Sequence, residues 1–152
     1  MWKKIIAWGL FAVWGAASAA AQSNDRLDEL LAQAQAHLDA TSYLLLTASG
    51  QVAEDTEVQA AFDAAVSAGL IASSRKPDEG VSVEDLAYLV MKTQKIPGGL
   101  EWTFLPSPRA AYRELVYRNV VNASAGPRRL VAGDEVVRTL TAAHALVAGG
   151  AP

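Results

Sequence analysis

The chain has no cysteine. That excludes disulfides, thiol catalysis, Cys-based zinc or iron–sulfur sites and a lipid-modified N-terminal cysteine. Histidine occurs only twice, at His37 and His144, and neither has a second ligand at metal spacing. The expectation is no metal site and no cofactor. There is no Gly-x-Ser-x-Gly elbow, and no nucleophile, base and orienting group can be assembled. The sequence therefore points to a protein that is not an enzyme. Long alternating apolar–polar runs are missing too. Ala, Leu and Val dominate instead, a composition that favours helices.

The apolar run from Ile5 to about Ala17 is shorter than the roughly 20 residues a membrane span needs. It follows the basic start Met1-Trp2-Lys3-Lys4 and leads into the small residues Ser18-Ala19-Ala20-Ala21. That order predicts a secretory signal peptide over 1–21. Ala19 and Ala21 suit the two narrow pockets of signal peptidase, placing cleavage after Ala21. The competing reading keeps the segment as an uncleaved anchor. The expected product is a single helical domain over 22–152, periplasmic or extracellular, with no stable membrane span after cleavage.

Charge is divided along the chain. From Gln22 to Met91 there are three Lys/Arg against twelve Asp/Glu, a balance of −9; from Lys92 to Pro152 there are eight against four, a balance of +4. Halves of opposite sign attract each other within one fold, and can also leave a basic binding face. Export and a net negative mature chain argue against nucleic acid as a partner.

Helix signals punctuate the chain. Asn24 is a good N-cap, and Leu27, Leu30, Leu31, Ala34 and Leu38 share one face of a longer N-terminal helix. Tyr43–Thr47 could continue it or form a short strand, and Gly50 ends the segment. Thr56 with Gln59 predicts a capping box before the stripe Val58, Phe62, Ala65 and Val66. Gly69 suits a left-handed stop. Ser82 with Asp85 predicts a second capped helix, broken by Pro97-Gly98-Gly99. Pro108 fits a first helical turn, Asn119 a left-handed stop, and a last helix is predicted from about Asp134 to Val147. The total is about five helices.

An internal repeat organises these signals. Ala61–Met91 lies on Ala111–Thr141 at an offset of 50 residues without a gap. Phe62 meets Tyr112, Val66 meets Val116, Gly69 meets Asn119, Pro77 meets Pro127 and Glu84-Asp85 meets Asp134-Glu135. The predicted architecture is all-α: two helix-hairpin repeats, about 56–93 and 106–148, preceded by the longer helix. Each unit is too small to bury its apolar face alone, so the two should pack together. Phe62 and Tyr112, and Val66 and Val116, should face the shared core.

The unit resembles the S-layer homology repeat, with Gly69-Leu70-Ile71 and Val81-Ser82-Val83-Glu84-Asp85-Leu86 in the places of that family's turn and second-helix motifs. Asn119-Val120-Val121 and Val131-Ala132-Gly133-Asp134-Glu135-Val136 repeat the pattern. The resemblance implies a module that holds a protein to cell-wall glycan. Val83 and Gly133 stand where the family's glycan-binding arginine would be, and its usual tryptophan ahead of the first helix is missing. A second stretch, roughly Val81 to Leu140, is similar to a segment of exported spirochaetal envelope proteins. It includes Phe104-Leu105-Pro106-Ser107-Pro108-Arg109 and Ala111-Tyr112-Arg113-Glu114-Leu115-Val116-Tyr117.

The best binding candidates lie between Trp102 and Arg118. Arg109, Arg113 and Tyr117 recur at four-residue spacing, with Trp102 just ahead of them. Arginine forks beside aromatic rings suit sugars and anionic groups. A plainer role is open to the same stretch: Phe104 and Tyr112 in the core, and Glu114 paired with Arg118. The expected function is a non-enzymatic cell-envelope protein attached to peptidoglycan, wall glycan or another envelope component. The alternative is a periplasmic adaptor or scaffold that holds a protein partner on a helical face.

Overall fold

The computed structural model describes residues 24–149, so the expected signal peptide lies outside the described residues. Among the described residues there are seven helices and no strand. They are α1 (24–31), α2 (Leu38–Ala48), α3 (Val58–Ser67), α4 (Val83–Thr93), α5 (Leu100–Phe104), α6 (Pro108–Tyr117) and α7 (Gly133–Ala148). The protein is all-α. No helix among the described residues is long and apolar enough to cross a membrane.

The local signals explain most helix ends. The Ser82 hydroxyl accepts from the Asp85 N–H at 3.2 Å, and the Asp85 carboxylate accepts from the Ser82 N–H at 3.3 Å, which satisfies two orphan donors of α4. Ser107 caps α6, with Pro108 in the first turn. Gly69 at φ 70° and Asn119 at φ 58° both take the left-handed stop. Two expectations are corrected. Thr56 does not cap α3: Glu57 is the N-cap, without a side-chain cap bond, and the Thr56 carbonyl accepts from Arg26 instead. The longer N-terminal helix is broken between α1 and α2, although Leu30 and Leu38 are both buried.

The reason for that break lies at the centre of the fold. Ala36 N–H donates to the Val131 carbonyl at 2.8 Å, Val131 N–H to Val81 at 2.9 Å, and Val81 N–H to Ala36 at 2.9 Å. Three segments, each just ahead of a helix, thus close a ring of backbone hydrogen bonds. All three residues are fully buried. A second set runs beside it: the first residues of α2, α4 and α7 donate to loop carbonyls, Leu38 to Glu79, Val83 to Arg129 and Gly133 to Gln33, at 2.9–3.0 Å. Helix-start N–H groups lack intrahelical partners, and buried ones must find others. If α1 ran on into α2, the Ala36 and Gln33 groups would be spent inside a helix and the ring could not close. The two loop prolines act alike as well: the Pro77 carbonyl accepts from Asp39 N–H at 3.0 Å, and that of Pro127 from Glu84 N–H at 2.9 Å.

Side chains pack outward from this centre. α2, α4 and α7 touch one another, α3 lies along α2, and α6 lies along α4. Both α3–α6 and α4–α7 start 50 residues apart, at 58 and 108 and at 83 and 133. Phe62 and Leu115 are buried, while Val66 and Val116 are half-buried against the core. Tyr112 differs from its counterpart Phe62: it is half-buried, and its hydroxyl donates outward to the Ala125 carbonyl at 3.0 Å. A phenol needs such an acceptor, which draws the ring towards the rim.

Candidate functional site

Where α6 meets the start of α4 and the loop before α7, a groove of about 440 Å³ opens. Glu84, Pro108, Arg109, Tyr112, Arg113 and Arg128 line it. Each is placed by a feature already described. The Ser107 cap and Pro108 set the start of α6, and four-residue spacing puts Arg109 and Arg113 one turn apart on the same face. The Pro127 carbonyl, held by Glu84 N–H, fixes the neighbouring Arg128 beside the groove. Arg128 Nε lies 4.0 Å from Glu84, a loose and exposed pair. Arg113 is bound to Glu101 at 3.1 Å, and Arg109 has no ion pair among the described residues. Three arginines and a tyrosine therefore line the groove; Arg113 is paired with Glu101 and Arg128 loosely with Glu84, which leaves Arg109 as the arginine with no acidic partner among the described residues and the groove cationic by one charge.

Of the four residues expected from sequence, Arg109 and Arg113 come together here. Trp102 does not line this groove. It turns against α4, edge-on to Tyr88 at 5.8 Å between ring centres, with Lys92 Nζ 5.2 Å from its ring. Tyr117 is 84% exposed and also lies off the groove. Arg128, 19 positions beyond Arg109, carried no sequence signal as a partner; only the fold brings the loop alongside α6.

Two smaller grooves correspond to each other across the offset. Leu70, Ile71, Asp85 and Tyr88 line one, with Leu38 from α2; Val120, Val121, Glu135 and Arg138 line the other, with Val83 from α4. Their ion pairs differ in origin and match in effect. Arg75 reaches Glu79 and, at 3.5 Å, Asp85; Arg129 reaches Glu135 at 2.5 Å. In each case a loop arginine is tied to an acid in the first turn of the next helix, where negative charge also suits the helix dipole. Burial pushes the Arg75 pKa down, but its bonds to Glu79 and Asp85 outweigh that and raise it overall. A further groove of about 370 Å³ lies between α1 and α2, lined by Leu27, Leu30, Tyr43 and Leu44 with Arg26 and His37. Sequence reasoning missed it because it treats α1 and α2 as one helix.

α5 is fastened to α6 by charge. Glu114 accepts from Gly99 N–H at 2.9 Å and pairs with Arg118 at 2.8 Å, and Arg118 in turn donates to the Pro97 carbonyl at 2.6 Å. Burial pushes the Glu114 carboxyl up, yet the Gly99 bond and Arg118 prevail and hold it below the usual glutamate value. A lowered folded-state pKa means the contribution is complete above the ordinary glutamate range and is lost as pH falls through the folded value. Glu114→Gln should lose that acid-dependent part. Urea melts taken from neutral pH downward should show the wild type losing stability in this window more steeply than the variant. Parallel curves would remove Glu114 from the fastening.

The fold and groove define an all-α protein with a cationic surface cleft. No family model, curated protein or solved structure matches the chain.

Proposed function

We propose that this is an exported, non-enzymatic cell-envelope protein. Its two helical units act as repeats similar to those of S-layer homology proteins and attach to wall glycan. The groove of Arg109, Arg113, Arg128 and Tyr112 supports this reading most directly. Guanidinium forks donate paired hydrogen bonds to carboxylates and to ring hydroxyls, and a tyrosine beside them offers an apolar face to a sugar. Muropeptide-bearing glycan presents both chemistries. The volume of about 440 Å³ lies within the range of small-ligand sites. These arginines take the place of the family's motif arginine, which is Val83 and Gly133 here.

Sedimentation with purified peptidoglycan tests the reading. The parent should pellet with the wall, and Arg109→Ala combined with Arg128→Ala should weaken attachment by about tenfold or more, since charge-assisted bonds contribute roughly 1.5–3 kcal/mol each. Arg113→Ala should weaken it as well while leaving stability nearly unchanged, because its pair with Glu101 is exposed and such pairs contribute little. A parent that stays in solution, yet retains one protein from the envelope through this face, would establish the adaptor reading instead.

A further inference from the structure

The four most exposed large apolar side chains of the described residues lie close together in sequence. Leu100 is 78% exposed, Phe104 75%, Leu105 73% and Tyr117 84%. Leu100 and Phe104 are one turn apart on α5, Leu105 follows directly, and Tyr117 ends α6, the helix to which α5 is fastened. None of them lines the grooves above. At such exposure a side chain stands clear of its neighbours, and Leu100, Phe104 and Leu105 project together from α5 as a tip.

The tip is held firmly from behind. Trp102 packs on Tyr88, Gly99 bonds to Glu114, and Arg118 ties Glu114 to the Pro97 carbonyl. A five-residue helix anchored through its polar and aromatic side, with its leucine and phenylalanine turned to water, is arranged for contact and contributes little to the core. Apolar projections of this kind mark interaction surfaces.

Charge identifies the partner. From Lys92 to Arg118, setting aside Arg109, which belongs to the groove above, there are four cations (Lys92, Lys95, Arg113 and Arg118) against Glu101 and Glu114, a balance of +2, and Lys92 lies over the Trp102 ring of α5 itself. Both acids are already engaged by arginines. The stretch from Asn24 to Met91 has three cations against twelve acids. Apolar side chains flanked by Lys92 and Lys95, on a chain whose 24–91 stretch is strongly acidic, match a bilayer with anionic headgroups: acyl chains accept Leu100, Phe104 and Leu105, headgroups pair with the lysines, and the acidic stretch is repelled. A protein groove would not require that polarity. We propose that α5 and the end of α6 form a docking tip for an anionic lipid surface. Contact is interfacial, with the helix at headgroup depth and no span.

The test uses the processed chain, its N-terminus read by mass spectrometry, because the apolar run near Ile5 would bind lipid by itself. Trp102 is then the sole tryptophan, since the other three of the four precede residue 21. Vesicles of phosphatidylglycerol and phosphatidylcholine should bind the protein at least about tenfold better than phosphatidylcholine alone, the effect weakening with salt. Brominated lipid should quench Trp102. Leu100→Ser with Phe104→Ser should lower binding by about tenfold or more with an unchanged thermal melt, since both side chains are exposed. Lys95→Gln should lower it by about fivefold. Equal binding by the double variant, or a parent that ignores anionic vesicles, overturns the proposal. A parent that ignores vesicles but captures an envelope protein through Leu100 and Phe104 overturns it in favour of a protein partner. The vesicles contain no glycan, and none of Leu100, Phe104 and Lys95 lines the groove, so this proposal and the glycan reading fail independently.

Discussion

Gly133→Ala should destabilise the domain by about 3 kcal/mol or more, with the melting temperature falling by on the order of 10 °C. Gly133 opens α7 and is buried. A Cβ placed there would stand 1.7 Å from the Leu30 carbonyl oxygen and 2.6 Å from its carbon. Those are backbone atoms at the end of α1, so no side-chain rotation relieves the overlap. Either α1 shifts or α7 does, and each adjoins a segment of the backbone ring, Ala36 after α1 and Val131 before α7. Gly133 N–H also donates to Gln33 across the same joint, and that bond would be stretched. Gly126→Ala is the matched control: its added Cβ would meet nothing within 4 Å, and the melt should be unchanged or slightly raised. Thermal melts of the two variants side by side decide the matter. A Gly133→Ala protein melting like the parent would mean that the approach of α1 to α7 is not needed for stability.

Phe62→Ala should cost about 3–5 kcal/mol, the usual range for emptying a buried phenylalanine site. The ring is 5% exposed and belongs to the face of α3 that lies along α2. Such a loss is a large part of a domain's total stability. Tyr112→Phe, at the equivalent position of the other unit, should cost much less, about 1 kcal/mol, because only the hydroxyl's donation, shared between the Ala125 and Ala123 carbonyls, is lost. Urea denaturation of both variants measures the difference. Equal losses would show that the two positions carry the same load, contrary to their different burial.

Much of the scaffold was legible in the sequence because it is written in local chemistry. Ser82 with Asp85, Pro108, Gly69 and Asn119 each act within a few residues of themselves, and each ended or began a helix as expected. The offset of 50 residues was legible for the same reason, since it aligns such signals. α5 was not, because five residues give too little periodicity to register. The break between α1 and α2 was invisible because it arises from backbone N–H and carbonyl groups, which every residue has. Nothing in the side chains of Gln33 or Ala36 advertises that their main chains bond to residues about a hundred positions away. Of the candidate site, Arg109 and Arg113 could be paired by helical spacing. Arg128 could not, since a loop brings it in, and Trp102 was drawn off by Tyr88 and Lys92.

The central ring also sets the order in which this chain can fold. Its first member, Ala36, and its last, Val131, are 95 residues apart, counted as 131 − 36. Closing so long a loop costs entropy that only the finished contact repays. Neighbouring helices can form and pair early through contacts close in sequence, as α3 does with α2 and α6 with α4. The ring has to wait for the segment ahead of α7. A chain stopped short of Val131 would leave the Ala36 N–H and the Val81 carbonyl with no partner at the middle of its core. Cooperative stability therefore waits until Val131 has been made, and the segments before it stay pliable until then.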